Sequence, residues 1–369
     1  VEDEPLRILH IYPKDDFYTG AVIQLRDLAA GLARRGHRVV VVTRPNPRWS
    51  AEAASGGFGH ADFFRSPAGP ASAVRLAALL RAERIQVVHA HKGGGRTLTL
   101  LARLVGPRPP LVVNRGVSFR PSLGARYVDG ARPVARVVAV CEAIKAQLVR
   151  EGLPADKIEV VYSGTDTGRF DPARADAARI RTELGLPPGV PLVTQIGVRE
   201  SKGNDVVLRA FARVRASRPD ARLLLVGARP AKVPPLAALA GELGLGPAVT
   251  IWGYRDDVPD ILAATDVCVD GSPVGLGITG TLRESLAMET PVVATDAIGN
   301  PELVIPERTG LLFPTGDAGA LADGVLRLLA DPAWARELGR AGRRRVIAQF
   351  STEAKVTRLE TLYRALAAA

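Results

Sequence analysis

The sequence predicts an α/β protein made of two doubly wound parallel sheets. Two observations carry that prediction. Short apolar, β-branched runs alternate with helical patterns from one end of the chain to the other, which is how repeated β-α-β units read. The runs are apolar throughout and not alternating, as strands covered on both faces must be. A length of 369 residues, 47% of them apolar and 24% charged, provides core for two domains and excludes a disordered chain.

In the first half the strand candidates are 6–11, 38–43, 86–90, 110–114 and 136–140. Helical patterns fill the intervals at 20–35, 72–82, 96–105 and 142–151, and Gly36 supplies a stop after the first of them. A Pro/Gly/Asp-rich passage over 163–172 separates this series from a second one. Its strands are expected at 192–197, 221–226, 249–252, 267–270 and 292–295, followed by helices at 318–329, 333–349 and 352–366. The reading is therefore a first domain over 1–165, a second over 166–351, and a terminal helical segment over 352–369. Ligands of such sheets bind beyond the carboxyl ends of the strands, so the loops that follow strands are where chemistry is expected.

Composition narrows the function classes. Two cysteines, Cys141 and Cys268, each within an apolar run, argue against a disulfide framework and a cysteine metal site, and suggest a reducing compartment such as the cytoplasm. No apolar run reaches the roughly 18 to 20 residues of a membrane span, and the acidic start, Val1–Arg7, does not read as a signal peptide. The expected location is cytoplasmic, with a peripheral place on the inner membrane face. The net charge of +11 is uneven: residues 1–160 hold 24 Lys+Arg against 14 Asp+Glu, and residues 161–369 hold 25 against 24. An anionic partner for the first half follows, whether membrane surface, phosphorylated lipid or nucleic acid. Few aromatics and no binding module disfavour nucleic acid.

Four post-strand loops carry polar motifs. Tyr18-Thr19-Gly20-Ala21 opens the first helix, where a glycine lets amides approach a phosphate. There is no G-x-G-x-x-G, and Thr43-Arg44 stands where a dinucleotide fold ends its second strand on an acid, which argues against an oxidoreductase. His89 and His91 close the third strand on the same side, ahead of Gly93-Gly94-Gly95, whose backbone freedom suits a loop beside a ligand or simply a flexible turn. With no carboxylate or Cys nearby, one packed and one site-facing histidine is expected in place of a metal site. Arg199 and Lys202, in Gly197–Gly203, are spaced to clamp a diphosphate and neutralise a leaving group. Finally, the glycines of 275–280 lead into Thr281-Leu282-Arg283-Glu284 at a helix start, an anion-binding terminus with a carboxylate one turn in.

Taken in order, these pieces resemble the retaining glycosyltransferases of family 4, whose fold is GT-B: two Rossmann-like doubly wound domains facing across a cleft. The resemblance runs over nearly the whole chain. Residues 20–43 with Arg35-Gly36-His37, Val87–His91, Val140-Cys141-Glu142 and Val161–Asp166 resemble the family's N-terminal motifs. Arg199 with Lys202-Gly203, Trp252–Val258, Glu284–Ala287 with Thr290–Thr295, Gly299–Val304 and Thr309–Leu312 resemble those of the second half. Two departures stand out. The family often has a second glutamate eight residues before Glu284, where this chain has Leu276, and the loop between Gly197 and Lys202 is short.

The resemblance implies a retaining, metal-independent glycosyltransferase of the hexosyl type, taking a UDP- or GDP-linked sugar as substrate and needing no cofactor. It implies His91, Arg199, Lys202 and Glu284 as catalytic residues. It places Gly20, Tyr254, Arg255, Gly280, Thr281 and Leu282 against the nucleotide, with Glu284 on the ribose and Tyr254-Arg255 framing the base. The acceptor belongs to the first domain in this family. The basic balance there suggests an anionic or lipid-linked glycan acceptor in polysaccharide, lipopolysaccharide or glycolipid assembly, with 115–120 and 126–136 as candidate contacts. A soluble small-molecule acceptor, or a sugar-nucleotide epimerase on the same fold, are the alternatives.

Overall fold

The strand candidates assemble into two all-parallel sheets. A computed structural model describes residues 4–14, 19–116, 123–273, 277–297 and 299–369. It divides the chain into two compact units, Val1–Gly164 together with Thr352–Ala369, and Thr165–Ser351.

In the first unit the strands are β1 (Arg7–Tyr12), β2 (Arg38–Thr43), β3 (Gly59–Ala61), β4 (Val87–His91), β5 (Leu111–Arg115), β6 (Val134–Ala139) and β7 (Ile158–Val160). They lie in the order β3-β2-β1-β4-β5-β6-β7. In the second they are β8 (Leu192–Ile196), β9 (Arg222–Val226), β10 (Val249–Trp252), β11 (Val267–Asp270), β12 (Val292–Thr295) and β13 (Leu311–Phe313), in the order β10-β9-β8-β11-β12-β13. In each sheet the chain builds outward from its first strand on one side and then returns to that strand's other side. The loops after β1 and β4, and after β8 and β11, therefore part to opposite faces and leave a crevice at the carboxyl ends.

The edges depart from expectation. Strands β3, β7 and β13 have three residues each, too short to show a period, and the helices Pro47–Gly56 and Leu123–Gly130 were likewise not expected. The helix expected from Arg96 begins at Lys92, so Gly93–Gly95 form its first turn and not a flexible loop. Packing explains the glycines: a Cβ on Gly95 would lie 3.1 Å from the Ile11 carbonyl oxygen, and one on Gly94 3.2 Å from Pro13. Lys92 itself takes φ +72°, a left-handed conformation unusual for a side-chain-bearing residue, directly after His91.

The last helix, Thr352–Ala368, belongs to the first unit. It buries Val356, Leu359 and Tyr363 in the core formed by β1, β2, β4 and the helix Gly20–Arg34. The close approach needs Gly31, where a Cβ would sit 2.6 Å from Val356 Cγ2. Arg35 pairs with Glu353 and Glu360, and Lys355 donates to the Gln24 carbonyl at 2.8 Å. Among the described residues no helix is long and apolar enough to cross a membrane.

Candidate functional site

Buried polar side chains sit at both switch points, on β1 and β4 and at the ends of β8 and β11. In the first unit β1 and β4 pair in parallel with His10 opposite His89. His91, two residues on, stacks on His89 with ring centroids 4.4 Å apart. All three imidazoles are buried, His10 and His89 at 0% and 1% exposure and His91 at 8%. His10 Nδ1 and His91 Nε2 are hydrogen-bonded at 3.1 Å, and His89 Nδ1 and the Tyr363 hydroxyl at 2.5 Å. Burial, reinforced by Lys355, holds the His10 pKa down to about 3. His89 and His91 lie well below 6.5 for the same reason, with their imidazole neighbours adding to it. The rings are therefore neutral near pH 7.

Among the described residues these three form the group whose nitrogens, within 4.8 Å of one another, come close enough to share a cation. No carboxylate or thiolate among the described residues joins them. Sequence reading found His89 and His91 but missed His10, whose signal is visible only through the strand register. The helix start at Gly20 follows β1, and a Cβ there would meet no described atom within 4 Å. Tyr18 lies outside the described residues.

In the second unit the switch point lies between β8 and β11. Lys202 reaches from the turn after β8, its stem packed over Gly197, which takes φ +97°. The Lys202 ammonium lies 3.2 Å from Asp270 Oδ2 at the end of β11, and both residues are buried. The turn is fixed from below: Gln195 Nε2 donates to the Lys202 carbonyl at 2.7 Å, and Asn204 Nδ2 donates to Gln195 Oε1 at 2.7 Å. Asp270 Oδ1 accepts the Ser272 amide at 2.9 Å. Asp270 was not singled out from the sequence, because at the end of an apolar strand it looks like any strand-terminating polar residue.

The helix Gly280–Ala287 brings Glu284 within electrostatic reach of Lys202. Among the described residues Thr279 at its cap makes no side-chain capping bond, and the amides of a helix's first turn have no partner within the helix. Glu284 lies one turn in. Burial pushes its carboxyl pKa up, opposed by Arg283, Arg169 and Lys202, which brings Lys202 and Glu284 into one electrostatic neighbourhood. Arg283 is buried as well, and its pKa falls to about 10. Gly280 and Thr281 stand at the first turn, whereas the Leu282 side chain is fully buried, so only its backbone is available. Gly275 and Leu276 lie outside the described residues.

Three expected site residues are placed differently from the pair. Arg199 is exposed and makes no ion pair among the described residues. Tyr254 is 76% exposed and donates to Asp256 at 2.8 Å. Arg255 stacks on Trp252 and is engaged by Glu183 and Asp257. Its guanidinium holds the Asp257 carboxyl well below the usual range. Arg115, a candidate acceptor contact, is pinned with Arg96 on the buried carboxylate of Asp129. Arg126 donates to the Glu151 carbonyl and Arg136 to that of Ala135. Residues 117–120 lie outside the described part.

Comparison with known proteins places the chain in a family. The Glycosyltransferase Family 4 model matches residues 18–169, and the Glycosyl transferases group 1 model matches residues 188–331. The chain is 26% identical over 356 residues to the N-acetyl-alpha-D-glucosaminyl L-malate synthase of Bacillus anthracis, covering 91% of each protein. It is 31% identical over 319 residues to the GDP-mannose-dependent alpha-(1-6)-phosphatidylinositol monomannoside mannosyltransferase of Mycobacterium tuberculosis, covering 80% of each. In fold it matches a glycosyltransferase from Rickettsia africae with a TM-score of 0.90 at 20% identity, covering 98% of both chains. Anabaena HepE, solved with UDP, matches at 0.84 and 21%, covering 99% of this chain and 100% of that one. The chain belongs to glycosyltransferase family 4, the glycosyl transferases group 1, and is a sugar-transferring enzyme of the two-sheet GT-B fold.

Proposed function

We propose that the protein moves a sugar from a nucleoside-diphosphate donor to an acceptor hydroxyl, with retained anomeric configuration and without a metal ion. The observation that carries this reading is the buried Lys202 at the β8/β11 switch point, within electrostatic reach of Glu284 on a helix whose cap makes no side-chain bond among the described residues. As the sugar departs, negative charge grows on the diphosphate. A fixed ammonium and the helix's first-turn amides oppose that charge without reorganising. Glu284 accepts ribose hydroxyls, and Gly280, Thr281 and the Leu282 amide face the phosphates. Arg199, exposed and without an ion pair among the described residues, joins the clamp when the donor binds. Tyr254 frames the base, while Arg255 holds that loop to Glu183.

The donor is a UDP- or GDP-sugar. The mannosyltransferase relative is GDP-mannose-dependent, and HepE has been solved with UDP and with UDP-glucose. The acceptor is anionic and binds the first unit, in glycolipid or glycan assembly at a membrane surface. Support comes from the charge of that unit and from a relative acting on phosphatidylinositol monomannoside. A soluble acid is the second reading, favoured by the likeness to an N-acetyl-alpha-D-glucosaminyl L-malate synthase.

The test is a thermal-shift panel of UDP-, GDP- and ADP-sugars on the protein and on Lys202→Ala. A rise in melting temperature with one nucleotide class, lost in the variant, is expected. No shift with any of them, or a shift that survives in Lys202→Ala, removes the reading.

A further inference from the structure

We propose that His10 is a positioning residue for His91: its Nδ1–H donates to His91 Nε2, so the His91 proton sits on Nδ1 and that nitrogen is a hydrogen-bond donor. The inference deepens the reading of His91 as a site residue and rests on it.

The six ring nitrogens of the cluster can be followed one by one. His10 Nδ1 and His91 Nε2 bond each other at 3.1 Å. His89 Nδ1 bonds the Tyr363 hydroxyl. His10 Nε2 and His89 Nε2 are sealed in the interior with no hydrogen-bond partner among the described residues. Only His91 Nδ1 is neither bonded within the cluster nor among the sealed, unpartnered nitrogens, and His91, at 8%, is the most exposed residue of the three.

A neutral imidazole carries one N–H and one lone pair. If His10 carried its proton on Nε2, a donor would be stranded in the core, and stranded N–H groups are rare in folded proteins, rarer than unfilled acceptors. With the proton on Nδ1, His10 spends its donor on His91 and leaves only a lone pair unfilled. His91 Nε2 must then be the acceptor, and its own proton moves to Nδ1. The surroundings keep the rings neutral: Lys355 faces all three, and Lys92 adds to the effect at His91. The outcome at the carboxyl end of β4 is an uncharged N–H. It is suited to a sugar hydroxyl or carbonyl oxygen, and at Nδ1 it has no lone pair with which to act as a base.

The protein has five histidines, so imidazole 15N NMR reads the tautomer directly. His91→Gln assigns the His91 signals. In the wild type a single His91 tautomer protonated at Nδ1 is expected. His10→Leu removes the donor and should move His91 toward the Nε2–H form. His10→Asn, whose side-chain amide places an N–H near the position of Nδ1, should restore the wild-type pattern, and it keeps the test decisive if the Leu variant does not fold. A wild-type His91 protonated at Nε2, or a tautomer indifferent to both variants, overturns the proposal.

A second arm tests the reading beneath it, using whichever of UDP-glucose or GDP-mannose the protein turns over. His10→Leu should lower kcat about tenfold, the size of one hydrogen bond, with donor KM unchanged, and His10→Asn should recover it. An altered tautomer with unaltered turnover would uphold the His10–His91 inference and remove His91 from the reaction.

Discussion

Lys202 and Asp270 are each buried and each other's counter-charge, so neither can be removed without stranding the other. Asp270→Asn should destabilise the second unit by about 3–5 kcal/mol, read as a lowered unfolding midpoint in urea. The double variant Asp270→Leu with Lys202→Met should recover most of that loss while abolishing nucleotide binding, because an apolar pair of similar volume avoids the desolvation cost. The histidines make an opposite kind of statement. The unfolded chain takes up their protons near pH 6.5, whereas the folded rings stay neutral well below that, to about 3 at His10. Stability is therefore complete above the unfolded value and falls on acidification, by up to about 1.4 kcal/mol per pH unit for each ring. Unfolding midpoints measured between pH 7 and 4 should drop steeply, and His10→Phe should flatten the drop. An unchanged slope in that variant would mean His10 is not held neutral.

At the scale of elements, the clamp turn depends on two backbones in contact. Gly203 has φ +58°, and a Cβ there would lie 1.9 Å from the Gly271 carbonyl oxygen. Gly203→Ala should therefore push the turn after β8 away from the end of β11 and separate Lys202 from Asp270. The expected result is loss of nucleotide-sugar binding in calorimetry, with the far-ultraviolet circular dichroism preserved. Retained affinity would show that the turn tolerates the displacement. The sequence made Gly203 visible as part of Lys-Gly, but not its reason, since the contact joins residues nearly seventy positions apart. The same holds for Gly31 beneath Val356 and for Gly94 and Gly95 against the β1 loop. Local pattern supplied the strands and long helices. It missed β3, β7 and β13, because three residues at a sheet edge carry no period of their own.

At the scale of the whole molecule, the charge asymmetry follows the division into units more closely than it follows the halves of the sequence. Val1–Gly164 with Thr352–Ala369 holds 27 Lys+Arg against 16 Asp+Glu, while Thr165–Ser351 holds 22 against 22. All of the +11 excess therefore belongs to the first unit. Sedimentation with vesicles containing anionic phospholipid should show binding at low ionic strength that is lost near 0.15 M salt, where the screening length is about 8 Å. Neutral vesicles should not bind. Absence of binding at any salt would favour the soluble acceptor.

The sequence by itself determined the fold class, the family and the order of the motif loops. Those follow from apolar periodicity and from residues close together in the chain, which a linear reading can see. It also placed His91, Lys202 and Glu284 at strand ends and helix starts, since each stands within a few residues of a recognisable break. The tertiary structure alone decided their partners. Asp270 faces Lys202 because β11 returns beside β8, and His10 bonds His91 because β4 returns beside β1. Tyr363 reaches His89 because the last helix lies on the first unit. Which nitrogen of a histidine carries its proton, and which carboxylate balances a lysine, are set by the register of parallel strands far apart in sequence. No local pattern encodes that register.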